Sequence, residues 1–210
     1  MIATSRKTTT GTAPDDGRMA VKAEQLRTYF SEASDQNLAG AFVMSLIVYV
    51  VHDGISPWTW LPALLGLYAV TLARAWRISQ YHRAPNLRSI AQWGQGQTIA
   101  GALVGVCWGA ASTAMLAQVS TEFQLFILTV MTVSAATNSS EGYAYTRPSQ
   151  AFVLLALSPV IVWLLTVGDR MHYVLAAMLL VFVPLTILQG QKRNKAFIEA
   201  LQFRFSNQAL

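Results

Sequence analysis

At 210 residues the chain has room for one or two ordinary domains, but 53% apolar and 12% charged residues with a mean hydropathy of +0.39 lie far from the roughly 25% charge of a soluble domain. The formal charge of +5 comes from 15 basic and 10 acidic side chains. The basic ones fall at the ends of apolar runs, where they set orientation in a bilayer, so nucleic acid is not expected as a partner.

Residues 1–20, "MIATSRKTTTGTAPDDGRMA", hold Thr, Gly, Pro and charge without the apolar stretch of a signal peptide, and read as a disordered cytoplasmic tail. Residues 21–36 follow as an amphipathic lead-in helix with Leu26, Tyr29, Phe30 and Ala33 at helical spacing. Such a helix either lies against the inner leaflet or simply leads into the first span.

Residues 37–190 carry six apolar segments: 38–51, 58–77, 99–117, 123–137, 151–168 and 171–188. Crossing a hydrocarbon core takes about 20 residues, so the first and fourth runs are short and borrow polar residues at their ends. The linkers after the second, fourth and sixth runs hold Arg77, His82, Arg83 and Arg88, then Arg147, then Lys192, Arg193 and Lys195. The alternate linkers hold Asp53, Glu122, and the pair Asp169 and Arg170. The positive-inside rule turns that alternation into an all-α, six-transmembrane helical bundle in a bacterial inner membrane, with both termini cytoplasmic.

Within the third run Gly101, Gly105 and Gly109 are spaced by four residues and share one helix face, open to close approach by a neighbouring backbone inside the bundle or at a subunit interface. Cys107, the single cysteine, permits no internal disulfide, and with Trp108 lies in the same run as a candidate ligand contact. The fourth run ends in "TNSSEGYAYTRPSQ", whose Asn138, Ser139 and Glu141, with Arg147, form the most unusual polar cluster of the chain and a candidate site for ligand binding or signalling. The alternative is a satisfied helix end with a loop. His52 and His172 are the only basis for a metal or haem site, and no cofactor is expected. Pro159 and Pro184 stand as the helix-breaking residues of a transporter do, but no two-fold repeat links the halves. No nucleophile is visibly paired with a base, so the chain reads as carrying no catalytic domain.

After the sixth run, residues 191–210 keep a helical rhythm, with Ile198, Leu201 and Phe205 forming an apolar seam that calls for a partner, such as the same helix of a second copy. The stretch "GDRMHYVLAAMLLVFVPLTILQGQKRNKAFIEALQFRFSNQAL", with "FSEASDQNLAGAFVMSLIVYVV" and "ALVGVCWGAAS", resembles the multi-span sensory domains that precede diguanylate cyclase (GGDEF) or histidine kinase domains in bacterial inner-membrane receptors. Leu201, Phe203, Arg204, Phe205, Asn207, Ala209 and Leu210 occupy the stretch that in that family enters a coiled coil. The resemblance implies a homodimer that detects a lipophilic or membrane-borne ligand, in contact with membrane lipid, and passes the signal to a cytoplasmic output domain that these residues do not include. The competing expectations are a small-solute transporter and a haem- or metal-binding redox protein.

Overall fold

The computed structural model describes the backbone over residues 14–36 and 38–208 and, within these, the side chains of residues 19–33, 38–86 and 88–207. The proposed tail up to residue 13, and Ala209 and Leu210, lie outside the described residues.

Among the described residues seven α-helices follow one another: α1 (Pro14–Gln36), α2 (Ala39–Val51), α3 (Pro57–Arg83), α4 (Ile90–Leu116), α5 (Thr121–Glu141), α6 (Arg147–Val167) and α7 (Arg170–Gln208). Local chemistry places their ends. Pro57 and Pro148 sit in first turns, where a missing N–H has no helical acceptor to lose. Ser89 caps α4 in a capping box, its Oγ accepting from Gln92 N at 3.3 Å while Gln92 Oε1 accepts from Ser89 N at 3.1 Å. Gly168, at φ +81°, closes α6 in the left-handed conformation a side chain resists. Pro159 and Pro184 lie inside α6 and α7, both assigned as single helices.

Three of the described helices are long and apolar enough to cross a membrane: α4, α6 and the first part of α7. This overturns the six-transmembrane bundle. The first run folds as α2, only 13 residues long, against the roughly 20 that a crossing takes. Helices α3 and α5 have the length, at 27 and 21 residues. However, α3 carries Arg74, Arg77, Gln80, His82 and Arg83 in its second half, and α5 has Glu122 and Gln124 at one end and Asn138 to Glu141 at the other. Neither sustains the apolarity of the other three, because each such group is costly in hydrocarbon. The placement of both termini on the cytoplasmic face loses its basis with the six spans, since three crossings put the ends of a chain on opposite faces. The chain is thus a helical bundle with several apolar helices of membrane length, as a membrane-embedded helical protein has. Met178, Val181, Leu185 and Leu188 of α7 are exposed and uncovered by the chain, the surface a lipid-facing helix presents.

Packing between α4 and α6 organises the bundle. Gly101 lies against Pro148, Gly105 against Phe152, and Gly109 against Leu155 and Ala156. A Cβ on Gly105 would stand 2.8 Å from Phe152 O, and one on Gly109 2.6 Å from Leu155 O. The acceptors are backbone atoms, which cannot rotate aside as a side chain can. The glycine face is therefore spent inside the chain, on α6. Around this seam Met44, Leu67, Trp108, Met115, Ile127, Leu157 and Leu164 build the main core.

A second, smaller core docks α1. Phe30 is fully buried and stacks on Tyr81 with ring centroids 3.9 Å apart, while Leu26, Tyr29 and Ala33 are buried beside Ile78, Trp93 and Ala144. The apolar stripe of the lead-in helix thus meets protein. Leu201 of α7 is also buried within the single chain, and Phe197 packs edge-on to Tyr143 with centroids 5.3 Å apart. Of the seam, Phe205 stays exposed and Ile198 half-buried.

Candidate functional site

A cavity of about 260 Å³ opens where α2, α3, α4, α5 and α6 meet. That is close to the roughly 300 Å³ at which small-molecule pockets begin. Val43, Leu67, Val104, Trp108 and Phe152 form its apolar walls, and Thr71, Arg74, Ser134, Thr137, Asn138 and Glu141 supply polar groups toward one end. The helical period selects these residues: Ser134, Thr137, Asn138 and Glu141 recur at three- and four-residue steps, so one face of α5 carries them all.

Arg74 and Glu141 are the charged members of the lining, and no ion pair joins them. Arg74 is held from outside the cavity, donating from Nη2 to Tyr29 Oη at 2.9 Å, while its buried Nε has no hydrogen-bond partner. Glu141 is half-buried, and desolvation, reinforced by the nearby charge of Glu32, raises its pKa above the usual carboxylate range. Glu32 in turn accepts from Tyr143 Oη at 2.7 Å. Helix α1 thus acts on both charges, positioning Arg74 through Tyr29 and, through Glu32, adding to the burial that already makes Glu141 a better proton holder. A fixed guanidinium with a spare N–H, an easily protonated carboxyl, an amide and hydroxyls above an aromatic and aliphatic floor can hold a polar head that both accepts and donates, with an apolar body below.

The sequence-derived candidates separate. Trp108, Asn138 and Glu141 line this cavity. Ser139 faces the other way, donating from Oγ to Thr186 O of α7 at 3.0 Å, and a Cβ on Gly190 would stand 2.9 Å from that Oγ. Ser140 O accepts from Arg193 Nη1 of α7 at 3.5 Å. Cys107 is half-buried toward α3, its Sγ 3.7 Å from where a Cβ on Gly66 would lie. Arg147 makes no ion pair with Glu141 and lines a different pocket. Arg74 is the residue the sequence reading missed as a site residue. Its one signal was a cation lying a turn inside an apolar run.

His52 and His172 have separate surroundings. His52 is exposed, with Nδ1 2.7 Å from Tyr49 O and Nε2 3.2 Å from Asp53 Oδ1. His172 is buried, with Nε2 3.2 Å from Gln124 Oε1 and Nδ1 2.7 Å from Asp169 Oδ1. Asp169 also accepts from the His172 backbone N–H at 2.8 Å, and that bond, with the side-chain contact, lowers its pKa. The pair fastens the start of α7 to α5. Among the described residues no group of three or more His, Cys, Asp or Glu stands together as a metal site.

No family model, curated protein or solved structure matches the chain.

Proposed function

We propose that the chain is a membrane-embedded sensory domain whose cavity takes a small amphiphile and whose last helix carries the response to an output domain. One observation supports this above the rest: the final turn of α5 presents Asn138 and Glu141 to the cavity while its Ser139 and Ser140 hold α7. A ligand that drew Glu141 or Asn138 toward Arg74 would rotate the turn that seats α7, favouring one of two packings. The apolar floor and the bundle's membrane-length helices favour a lipophilic ligand, and Arg74 favours an acceptor head such as a carboxylic acid. On this reading α7, a 39-residue helix, is the relay. The resemblance of its sequence to the exit helices of diguanylate cyclase and histidine kinase receptors favours an output of one of those classes. A dimer through the exposed end of α7, where Phe203 and Phe205 are uncovered, belongs to the same proposal.

Labelling with a diazirine-bearing fatty acid tests the ligand class. Saturable labelling of residues on α4 and α5, competed by the unmodified fatty acid and lost in Arg74→Met, is expected. Labelling that never saturates, or that survives in Arg74→Met unchanged, overturns the assignment. Substrate flux in proteoliposomes would favour a transporter.

A further inference from the structure

A second pocket, of about 380 Å³, lies between α1, the first turns of α4 and α6, and α7. It takes no part in the ligand site above and its chemistry is different. Lys22 and Arg147 line it and no carboxylate does. Neither side chain has an ion-pair or hydrogen-bond partner among the described residues, whereas Arg27 on α1 and Lys195 on α7 are each matched to a glutamate. Two unpaired cations facing one concavity repel each other, and an anion between them removes that repulsion.

The backbone adds to the same field. Ile90 and Ala91 open α4, Thr146 and Arg147 open α6, and both first turns border the pocket. The positive ends of two helix dipoles therefore converge where the cations stand. Gly94 leaves space for Tyr145, whose Oη would be 2.9 Å from a Cβ there, and so brings a phenol to the rim. Leu26, Ile90 and Ile198 give the pocket an apolar side as well.

We propose that this pocket binds a phosphate group, with Arg147 supplying a forked contact and Lys22 a point charge. Its occupant would touch α7 through Asn194 and Ile198. Asn194 Nδ2 already donates to Tyr143 O at 2.7 Å and Ala144 O at 3.1 Å, and Gln25 Nε2 donates to Ala144 O at 3.1 Å. Phosphate binding thus ties α1, the α5–α6 loop and α7 into one unit and sets how readily α7 moves. The group arrives either on an anionic lipid or as a soluble phosphate.

The test uses the full chain in nanodiscs of phosphatidylcholine with a minor fraction of phosphatidylglycerol, released and weighed by native mass spectrometry, and inorganic phosphate as the soluble probe, read as a rise in melting temperature. The wild type is expected to retain phosphatidylglycerol over phosphatidylcholine, or to be stabilised by millimolar phosphate. The first outcome assigns the group to lipid, the second to a soluble source. In Lys22→Gln/Arg147→Gln either effect falls by about tenfold or more, the loss of one or two charge-assisted hydrogen bonds. It is weakened but not lost in Lys22→Arg/Arg147→Lys, which keeps both charges and gives up the fork at position 147, and it persists in Lys192→Gln/Lys195→Gln, which removes equal charge outside the pocket. Unchanged helicity shows that the variants fold, and the single variant Lys22→Gln, at an exposed side chain, gives a smaller loss in the same direction. Equal retention of both lipids with no effect of phosphate overturns the proposal, as does an equal loss in the two glutamine pairs.

Discussion

Alanine at Gly105 and alanine at Gly66 bring the same methyl group and the same gain in helix propensity, about 1 kcal/mol, yet the structure assigns them opposite outcomes. At Gly66 the new Cβ meets Cys107 Sγ at 3.7 Å, an ordinary contact with a side chain that can turn. Gly66→Ala is therefore neutral or stabilising by up to about 1 kcal/mol. At Gly105 the Cβ falls 2.8 Å from Phe152 O and 3.0 Å from Phe152 Cα. Restoring a normal separation moves α4 and α6 apart by roughly half an ångström along their seam, loosening dispersion contacts on both sides. Overpacking of this kind costs about 1–3 kcal/mol and the propensity gain offsets about 1 of it, so Gly105→Ala loses up to about 2 kcal/mol net. Adding Gly109→Ala, whose Cβ meets Leu155 O at 2.6 Å, deepens the loss at a coupled neighbouring site. Thermal unfolding followed by circular dichroism in one detergent ranks Gly66→Ala at or above wild type, wild type above Gly105→Ala, and the double variant lowest. A Gly105→Ala chain as stable as Gly66→Ala would show that α4 and α6 do not meet through this face.

Phe30→Ala removes a fully buried ring stacked on Tyr81 and is expected to cost about 3–5 kcal/mol of local stability, seen as faster protease cleavage within α1 while the rest of the bundle resists. Glu141→Gln tests the carboxyl whose pKa burial raises. A raised folded-state pKa means that ionisation opposes folding, so the penalty is absent below the ordinary glutamate range and grows as pH rises through the folded value. The glutamine variant should melt higher than wild type at pH 7.5 and match it near pH 4; a gap that widens toward acid would contradict this. In a Cys107→Ser background, Phe205→Cys should crosslink between copies and Leu201→Cys should not, because Leu201 is buried within its own chain; equal crosslinking would mean that Leu201 is uncovered in the dimer.

Helix periodicity and the four-residue glycine spacing were readable from residue types alone, since both depend on neighbours along one helix. That α6 receives Gly101, Gly105 and Gly109 depends on tertiary packing, which spacing does not encode. Apolarity alone does not fix the span count for a related reason: residues 38–51 are apolar, but fold into a helix of 13 residues, too short for a crossing. Residues 138–141 were visible as an odd polar cluster, yet a helix turns by about 100° per residue, so Ser139 faces α7 while Asn138 and Glu141 face the cavity. Arg74, a turn inside the apolar run 58–77, owes its place at the cavity to Tyr29, 45 residues away, a contact that spacing along one helix does not encode.

The most direct test of the account is native mass spectrometry of the purified chain beside a variant with its cavity filled. Val104→Trp puts a large ring into the cavity that Leu67, Trp108 and Phe152 also line and leaves Arg74 and Glu141 unmutated. The account predicts a small-molecule adduct on the wild type, at one per chain, that is absent from a folded Val104→Trp chain. An adduct equally abundant on both, or a wild type that holds none after gentle extraction with host lipid present, would contradict it.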